Sequence, residues 1–278
     1  MTNSPILSNS SMIALGCPYR YYRLFIEGYD EPDSDAATQG TILHAARAGY
    51  VSQLWRICKH RRKLGQELLR RSPTIFQRAL ATVMSKYKLT EYEQEQCEAL
   101  GARFCEAFQL DTGADNHIVE RRLYTTYRGY SVEGTPDHVA IYDGGRRAKV
   151  IDAKFGHVRV DFETAQHNRQ LRLYAWIWFQ NHPECQEIDI EIEAPRFGGM
   201  KDSHPGTVTR DTLSDVEERL DRKIAELEGC ISTSSWLATP DGDACKYCTL
   251  HCPLTVSVII RLLSRALTIH HPIKRRRK

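Results

Sequence analysis

Apolar and polar residues follow two different periods along this chain of 278 residues. In some stretches apolar positions recur every three or four residues, as on one face of an α-helix; in others they alternate with polar positions, as in half-buried strands. Helical spacing occupies residues 8–27, 38–60, 64–112, 162–181 and 211–229. Strand-like spacing occupies residues 117–129, 131–155 and 187–194. This order predicts an α/β protein with four strands around two principal helices and a helical insertion at about 59–112.

The stretch from Ser131 to Phe155 predicts a β-hairpin that carries acidic residues. Between its two β-forming runs lies Asp143-Gly144-Gly145, which supplies the positive φ angles of a tight turn. Asp137 and Asp152 would then come from neighbouring strands. Because side chains alternate along a strand, Asp152 and Lys154 would project from the same face. The hairpin therefore brings two carboxylates and an ammonium group together.

Paired carboxylates of this kind bind a hard divalent cation such as Mg²⁺ and leave its other coordination positions to water and phosphate oxygens. Lys154 would orient the water or offset negative charge on a phosphorus under attack. Taken singly, an Asp also fits a turn former, and D-x-K also fits a solvated strand face. The ordered set favours the metal: G-x-x-D ending at Asp137, then D-x-K, then a helix with Gln170 and Tyr174 one turn apart.

In this order of motifs, almost from end to end, the chain resembles the PD-(D/E)xK nucleases. Within them it is similar to the RecB-like branch, which includes CRISPR-associated exonucleases and AddB-type nuclease domains. The motifs that carry the resemblance are His44 in GTILHAA, G-x-x-D, I-D-x-K, Q-x-x-x-Y and one early plus three late cysteines. The resemblance implies a restriction-endonuclease-like α/β core, in which a mixed central sheet is flanked by helices.

The same resemblance implies roles for individual residues. His44, Asp137 and Asp152, with the carbonyl of Ala153, would hold Mg²⁺ or Mn²⁺ for hydrolysis of a DNA phosphodiester bond. Lys154 would assist that step, and the helix face with Gln170 and Tyr174 would look onto the catalytic centre. From helical spacing alone, His44 would be a hydrogen-bonded core residue. Glu120 fits two interpretations equally, an acid that points toward the site and an exposed strand acid.

Three of the nine cysteines crowd into the segment 245–252 as C-x-x-C-x-x-x-C, a spacing that presents three thiolates to one metal centre. The resemblance implies a 4Fe-4S cluster that fastens the two ends of the chain together, with ligands Cys17, Cys245, Cys248 and Cys252. The last spacing is shorter than is usual in that group. Zinc on the same thiolates, or with His251 in place of one, is the alternative. An odd number of cysteines favours a metal site in a reducing compartment over a disulfide framework.

The net charge of +3 is modest, but basic residues cluster at 59–63, Arg70-Arg71, Arg146-Arg147 and 274–278. Such clusters suit a polyanion and fit equally well as solvated helix faces. No stretch is apolar for long enough to span a bilayer and the first residues lack a signal-peptide pattern, so we expect a cytoplasmic protein. The resemblance implies DNA as partner, either single-stranded or as duplex ends, and proteins of recombination or CRISPR adaptation.

We expect a nuclease domain over residues 1–240 and a cysteine region over residues 241–278. The cysteine region would contain an apolar helix and the basic tail, and would be joined to Cys17. The expected activity is exonucleolytic, in recombination, repair or CRISPR spacer acquisition. A structure-specific or restriction-type endonuclease would keep the same site. A nucleic-acid-binding subunit without catalysis is a third interpretation, and the filled motif positions disfavour it.

Overall fold

The computed structural model of the protein describes residues 5–32, 35–60, 65–155, 164–194, 206–239, 242–245, 248–250 and 252. The chain has two compact units, one made of residues 1–9 and 33–222 and the other of residues 10–32 and 223–278. The predicted apolar helix and the basic tail at 274–278 lie outside the described residues. No helix in the described ranges is long and apolar enough to cross a membrane.

Helical and strand regions follow the predicted order, but the described residues form eight strands in two sheets where four strands were predicted. The strands are β1 (Ile6–Leu7), β2 (Asn116–Val119), β3 (Leu123–Tyr127), β4 (Tyr130–Gly134), β5 (His138–Tyr142), β6 (Arg147–Ala153), β7 (Glu187–Glu193) and β8 (Gly206–Val208). The helices are α1 (Asn9–Ala14), α2 (Pro18–Tyr21), α3 (Asp35–His60), α4 (Gly65–Met84), α5 (Glu91–Ala107), α6 (Thr164–His167), α7 (Arg169–Asn181), α8 (Ser214–Thr233) and α9 (Gly242–Cys245). A π-helical turn covers Tyr22–Ile26, and 3-10 turns cover Asp143–Gly145 and Arg210–Leu213.

The larger unit contains two mixed sheets flanked by helices. One has the order β1-β4-β3, and the other has the order β2-β5-β6-β7-β8. β5 and β6 form the predicted antiparallel hairpin, whereas β6 and β7 are parallel and are joined through α6 and α7, as a parallel crossover requires. Nearly every side chain of α7 from Leu171 to Phe179 is buried, because the helix is covered by strands of both sheets. The predicted restriction-endonuclease-like α/β class is confirmed.

Two predicted elements are each divided in the structure. The single strand predicted at 117–129 is wrong, because β2 and β3 belong to different sheets and the chain breaks at Glu120, whose φ is 48°. The single helix predicted at 162–181 is likewise divided into α6 and α7 at Asn168. The Oδ1 atom of Asn168 accepts hydrogen bonds from the backbone N–H groups of Gln170 and Leu171, both at 3.0 Å, and so begins a new helix.

The predicted helical insertion corresponds to the end of α3 together with α4 and α5. These helices enclose an aromatic core in which Tyr50 contacts Phe76 and Phe104 edge to face. Cys97 is fully buried in this core and Cys105 packs against it, as predicted for small apolar residues. Burial raises the pKa of Cys105 to about 12, so its thiol stays protonated and is not a nucleophile at neutral pH.

Of the four basic clusters, Arg146-Arg147 is described with its side chains. Arg147 lies 3.4 Å from Glu187 and 3.5 Å from Asp189, and both of its partners are on the neighbouring strand β7. Arg147 is therefore solvated and paired with acids of the same sheet, as one of the two interpretations predicts for this cluster, and Arg146 is exposed on the turn before it. The side chains of Arg70-Arg71 and residues 61–63 lie outside the described part of the chain.

Two buried histidines form a pair between β2 and β5. His117 Nδ1 lies 2.7 Å from His138 Nε2, and His117 Nε2 lies 2.9 Å from the carbonyl of Asp111. A carbonyl only accepts, so His117 Nε2 carries a proton and His117 Nδ1 accepts from His138 Nε2. His138 Nδ1 is then an unprotonated acceptor, and it has no hydrogen-bond partner among the described residues. Burial lowers the pKa of His117, and lowers that of His138 well below its usual value.

Because of this histidine pair, we expect the folded protein to lose stability at mildly acidic pH. Folding depresses both pKa values, so below about pH 6.5 the unfolded chain binds more protons than the folded one, and stability falls as the pH falls. The slope is about 1.4 kcal/mol per pH unit for each proton. In urea unfolding at pH 7.5 and 5.5, His138→Asn should be less stable than the wild-type protein at pH 7.5 but less sensitive to acid. The partly exposed His182→Asn is the control, and equal acid sensitivity in all three proteins would contradict the assignment.

Candidate metal and phosphodiester site

Asp137 lies at the beginning of β5 and is buried, with only 6% of its surface exposed. Its Oδ1 atom lies 2.9 Å from His44 Nδ1 on α3, and its Oδ2 atom accepts a 2.5 Å hydrogen bond from the backbone N–H of Ala153 on β6. Burial opposes the charge of this carboxyl group. His44, the Ala153 N–H and Arg47 together outweigh burial and hold the pKa of Asp137 below its usual value. Asp137 therefore stays ionised and joins the helix to the hairpin.

Glu120 completes a cluster with His44 and Asp137. Each of the three residues offers one ligand atom, and these atoms lie within 4.8 Å of one another. The positive φ of Glu120 ends β2, and its backbone N–H donates to the carbonyl of Asp137 at 3.3 Å. Although Glu120 is exposed, desolvation, the charge of Asp137 and a hydrogen bond to it raise the pKa of Glu120 to about 7. Two carboxyl groups so close share negative charge that a cation would neutralise.

Asp152 belongs to a second cluster with Lys154, Gln170 and Tyr174. Lys154 Nζ lies 2.6 Å from Asp152 Oδ2 and donates to Gln170 Oε1 at 3.1 Å. Gln170 Nε2 donates in turn to the Tyr174 hydroxyl at 2.7 Å. Gly134 makes room for this chain of contacts, because a Cβ atom there would overlap the Tyr174 ring. The residues predicted on the strand and on the helix are thus in contact.

The environment of Asp152 differs from that of Asp137. Asp152 is 3% exposed, and desolvation, opposed by Lys154 and assisted by the charge of Asp137, raises its pKa. Asp152 Oδ2 is at ion-pair distance from Lys154 but accepts no well-directed hydrogen bond from the described residues. We regard the contact as electrostatic, since the short distance lacks hydrogen-bond geometry. The oxygen keeps a lone pair for another ligand.

Arg47 and Glu193 support this site through buried hydrogen bonds, and the sequence analysis did not identify either residue. Arg47, one turn after His44 on α3, is 1% exposed, and its Nε donates to Glu193 Oε2 at 2.7 Å. Arg47 Nη1 reaches the carbonyl of Asp137 at 3.4 Å, and the backbone N–H of Lys154 donates to the carbonyl of Glu193 at 2.7 Å. The signal in the sequence was an arginine inside the apolar stripe of α3. A charge at such a position must have a buried partner.

The predicted cysteine ligands all lie in the smaller unit. Cys17 is buried just before α2, Cys245 is exposed at the end of α9, and Cys248 and Cys252 are partly buried. Arg20 on α2 donates to the carbonyl of Ala244 at 2.5 Å, which holds the early segment against the late one. Within the described residues, the thiols do not form a group at the single-ion spacing found for His44, Glu120 and Asp137. A 4Fe-4S cluster holds its thiolates farther apart than one ion does.

Comparison with known proteins identifies the superfamily of the chain. The sequence pattern of the PD-(D/E)XK nuclease superfamily matches residues 13–252, and the chain belongs to this superfamily. No curated protein matches the chain. Among solved structures, a protein from Eubacterium rectale described as a "putative exonuclease" is similar, with 13% identity and a TM-score of 0.48. The match covers 88% of this chain and 94% of that one.

Proposed function

We propose that the protein is a divalent-metal-dependent DNA nuclease of the RecB-like branch that hydrolyses phosphodiester bonds from DNA ends or single strands. The observation that carries this proposal is the arrangement of the two clusters. One joins His44, Glu120 and Asp137, the other joins Asp152 to Lys154, and both lie where β5 begins and β6 ends. Asp137 Oδ2 accepts a hydrogen bond from the N–H of Ala153, the residue after Asp152, which supports treating the two clusters as one site.

The residues of the site fit a hard divalent cation. Carboxylate oxygens suit Mg²⁺ and Mn²⁺, and a single imidazole favours Mn²⁺. We assign His44, Asp137 and Asp152 as ligands of the ion. His44 and Asp137 lie with Glu120 at single-ion spacing, and Asp152 belongs to the neighbouring cluster with Lys154. A cation bound there would polarise the phosphate and lower the pKa of a bound water.

The remaining groups orient what lies at the metal. Lys154 Nζ, held between Asp152 and Gln170, is a charged donor whose direction is fixed on two sides. Such a donor offsets the negative charge that develops on the phosphate during attack. The Tyr174 hydroxyl accepts a hydrogen bond from the Gln170 amide, and Gln170 Oε1 accepts one from Lys154, so this pair would position Lys154.

The proposed preference for cleavage from DNA ends rests on the resemblance of the whole motif set to the RecB-like nucleases. The experiment that tests it compares linear DNA with circular DNA. End-labelled linear DNA and a covalently closed circle of the same sequence are incubated with Mg²⁺ or Mn²⁺. We expect label release from the linear DNA and an intact circle. Cutting of the circle at a comparable rate would favour the endonuclease alternative, and binding without cutting of either DNA would favour the non-catalytic one.

We propose in addition that Cys17, Cys245, Cys248 and Cys252 hold a 4Fe-4S cluster with a structural role. The support is that four thiols occur in one compact unit and that the Arg20 contact brings the segment after Cys17 to the segment before Cys245. Thiolates are the ligands of such clusters. Zinc on the same residues is the rival.

If the four cysteines hold a 4Fe-4S cluster, the purified protein should be brown, with broad absorbance at about 400 nm. Closing the long loop between Cys17 and Cys245 through a metal constrains the unfolded chain, so Cys17→Ser should lower the melting temperature more than it lowers the rate of DNA cleavage. Chemical analysis measures the iron, sulfide and zinc content per protein chain. Cys97→Ser, at a buried thiol of the other unit, is the control that should keep the iron. Colourless protein with stoichiometric zinc would contradict the cluster.

A further inference from the structure

A pocket of about 260 Å³ is lined by residues that follow Glu120 in the chain and by residues at the end of α7, and we call it the Arg121 pocket. Its polar rim is formed by Arg121, Arg122, Tyr124, Asn181 and His182, and Trp178 contributes to its apolar floor. Glu120 immediately precedes Arg121, so this rim continues directly from a residue of the proposed metal site.

The walls of the pocket are fixed by contacts within the protein. Asn181 Nδ2 donates to the carbonyl of Tyr124 at 3.0 Å and to that of Ile177 at 3.1 Å. The His182 ring stacks on Trp178 with 3.9 Å between ring centroids. Arg122 forms an ion pair with Glu133 on the adjacent strand. A pocket formed in this way requires little ordering when a ligand binds.

Two side chains of the rim stay free to meet a ligand. Tyr124 is 69% exposed, so one face of its ring is open to solvent. Arg121 is exposed and forms no ion pair with the described residues, whereas Arg122, Arg128 and Arg147 each have a carboxylate partner. An open aromatic face beside an unpaired guanidinium combines the two contacts that single-stranded nucleic acid needs, stacking and phosphate neutralisation.

We propose that the Arg121 pocket binds one unpaired nucleotide of the DNA substrate, with its base on Tyr124 and its phosphate at Arg121. The inference rests on the proposed nuclease function and adds to it a binding subsite for one unpaired base, which selects single-stranded or frayed ends over blunt duplex. Bases inside a duplex are already stacked and cannot lie on Tyr124. The volume, below the usual range for drug-sized ligands, fits one nucleotide and not a longer segment.

The test measures DNA affinity in the Asp152→Asn background with Mg²⁺, so that cleavage does not interfere. Tyr124→Leu should weaken binding of a single-stranded oligonucleotide about fivefold or more, while Tyr124→Phe keeps it within about twofold. A blunt duplex should bind with the same affinity to Tyr124→Leu and to Tyr124→Phe. Tyr92→Leu on α5, where the ring is also 69% exposed, is the matched control and should bind like the parent.

The phosphate contact has its own signature. Arg121→Gln should reduce the log-log salt slope of single-strand binding by about one. The exposed Arg146→Gln, on the hairpin turn, is the control and should leave the slope unchanged. An oligonucleotide series with one abasic position moved along the strand then locates the stacked base. At one position the missing base should reproduce the loss seen with Tyr124→Leu, and the two changes should not add.

The outcomes separate this inference from the proposed function. A wild-type protein that neither binds nor cuts DNA would contradict the nuclease function itself. A wild-type protein that cuts DNA, with Tyr124→Leu and Arg121→Gln indistinguishable from the two controls, would overturn the pocket alone. Equal weakening of duplex and single strand by Tyr124→Leu would also overturn it, because stacking on an unpaired base would then not be the cause.

Discussion

Asp152→Asn is expected to lower the single-turnover rate of DNA cleavage by about a thousandfold, and Lys154→Met by about a hundredfold, with DNA binding largely retained. Asn cannot supply the anionic oxygen that a divalent cation requires, and Met removes the charged donor next to it. Neither change should unfold the protein. Burial already raises the pKa of Asp152, so a neutral amide is tolerated there, and the Lys154 side chain is 39% exposed.

The measurement uses end-labelled linear DNA at saturating enzyme with Mg²⁺ and again with Mn²⁺. Asp143→Asn is the matched control on the same hairpin, because its side chain is exposed and Asn accepts the positive φ of 54° at that position. It should cleave at the wild-type rate. If Asp152→Asn or Lys154→Met cleaved at near-normal rates in either metal, the proposed catalytic centre would be wrong.

Arg47→Met is expected to lower the free energy of unfolding by about 3–5 kcal/mol, the largest stability effect we predict. The substitution leaves the Glu193 carboxylate buried without its partner, and burial already raises the pKa of Glu193 against the effect of Arg47. The double variant Arg47→Met/Glu193→Gln removes both charges and should recover much of that loss. Breaking one half of a buried pair costs more than replacing the whole pair.

Urea unfolding of the two single variants and the double variant measures the coupling between Arg47 and Glu193. The exposed Arg147→Met, which loses ion pairs to Glu187 and Asp189, is the control and should change stability by less than about 1 kcal/mol. Additive effects of the two single substitutions would show that the ion pair contributes no coupling. A wild-type stability in Arg47→Met would contradict the burial of this side chain.

The sequence predicts those parts of the site that depend on neighbours in the chain. The Asp143 turn, the shared face of Asp152 and Lys154, and the one-turn spacing of Gln170 and Tyr174 follow from local backbone geometry. The break at Glu120 does not, because β-forming residues stand on both sides of it and the positive φ is imposed by the hydrogen bond to Asp137.

The Arg47–Glu193 pair was beyond sequence reasoning for a different reason. Its members are 146 residues apart, and each belongs to a residue type that is ordinarily exposed. The alternating acids of β7 predict a half-buried strand with a polar face toward solvent. The parallel pairing of β7 with β6 instead turns Glu193 toward α3. Tertiary packing decided the role of this acid, and no local pattern records it.

Arg47 and Glu193 are far apart in the sequence, and this affects how the site forms while the chain is synthesised on the ribosome. Synthesis proceeds at roughly 5–20 residues per second, and domains fold as units. A nascent chain that ends after β6 already contains both aspartates and Lys154. It still lacks Gln170 and Tyr174, which hold the lysine, and Glu193, which neutralises Arg47. The proposed hydrolytic activity should therefore arise only after β7 has left the exit tunnel.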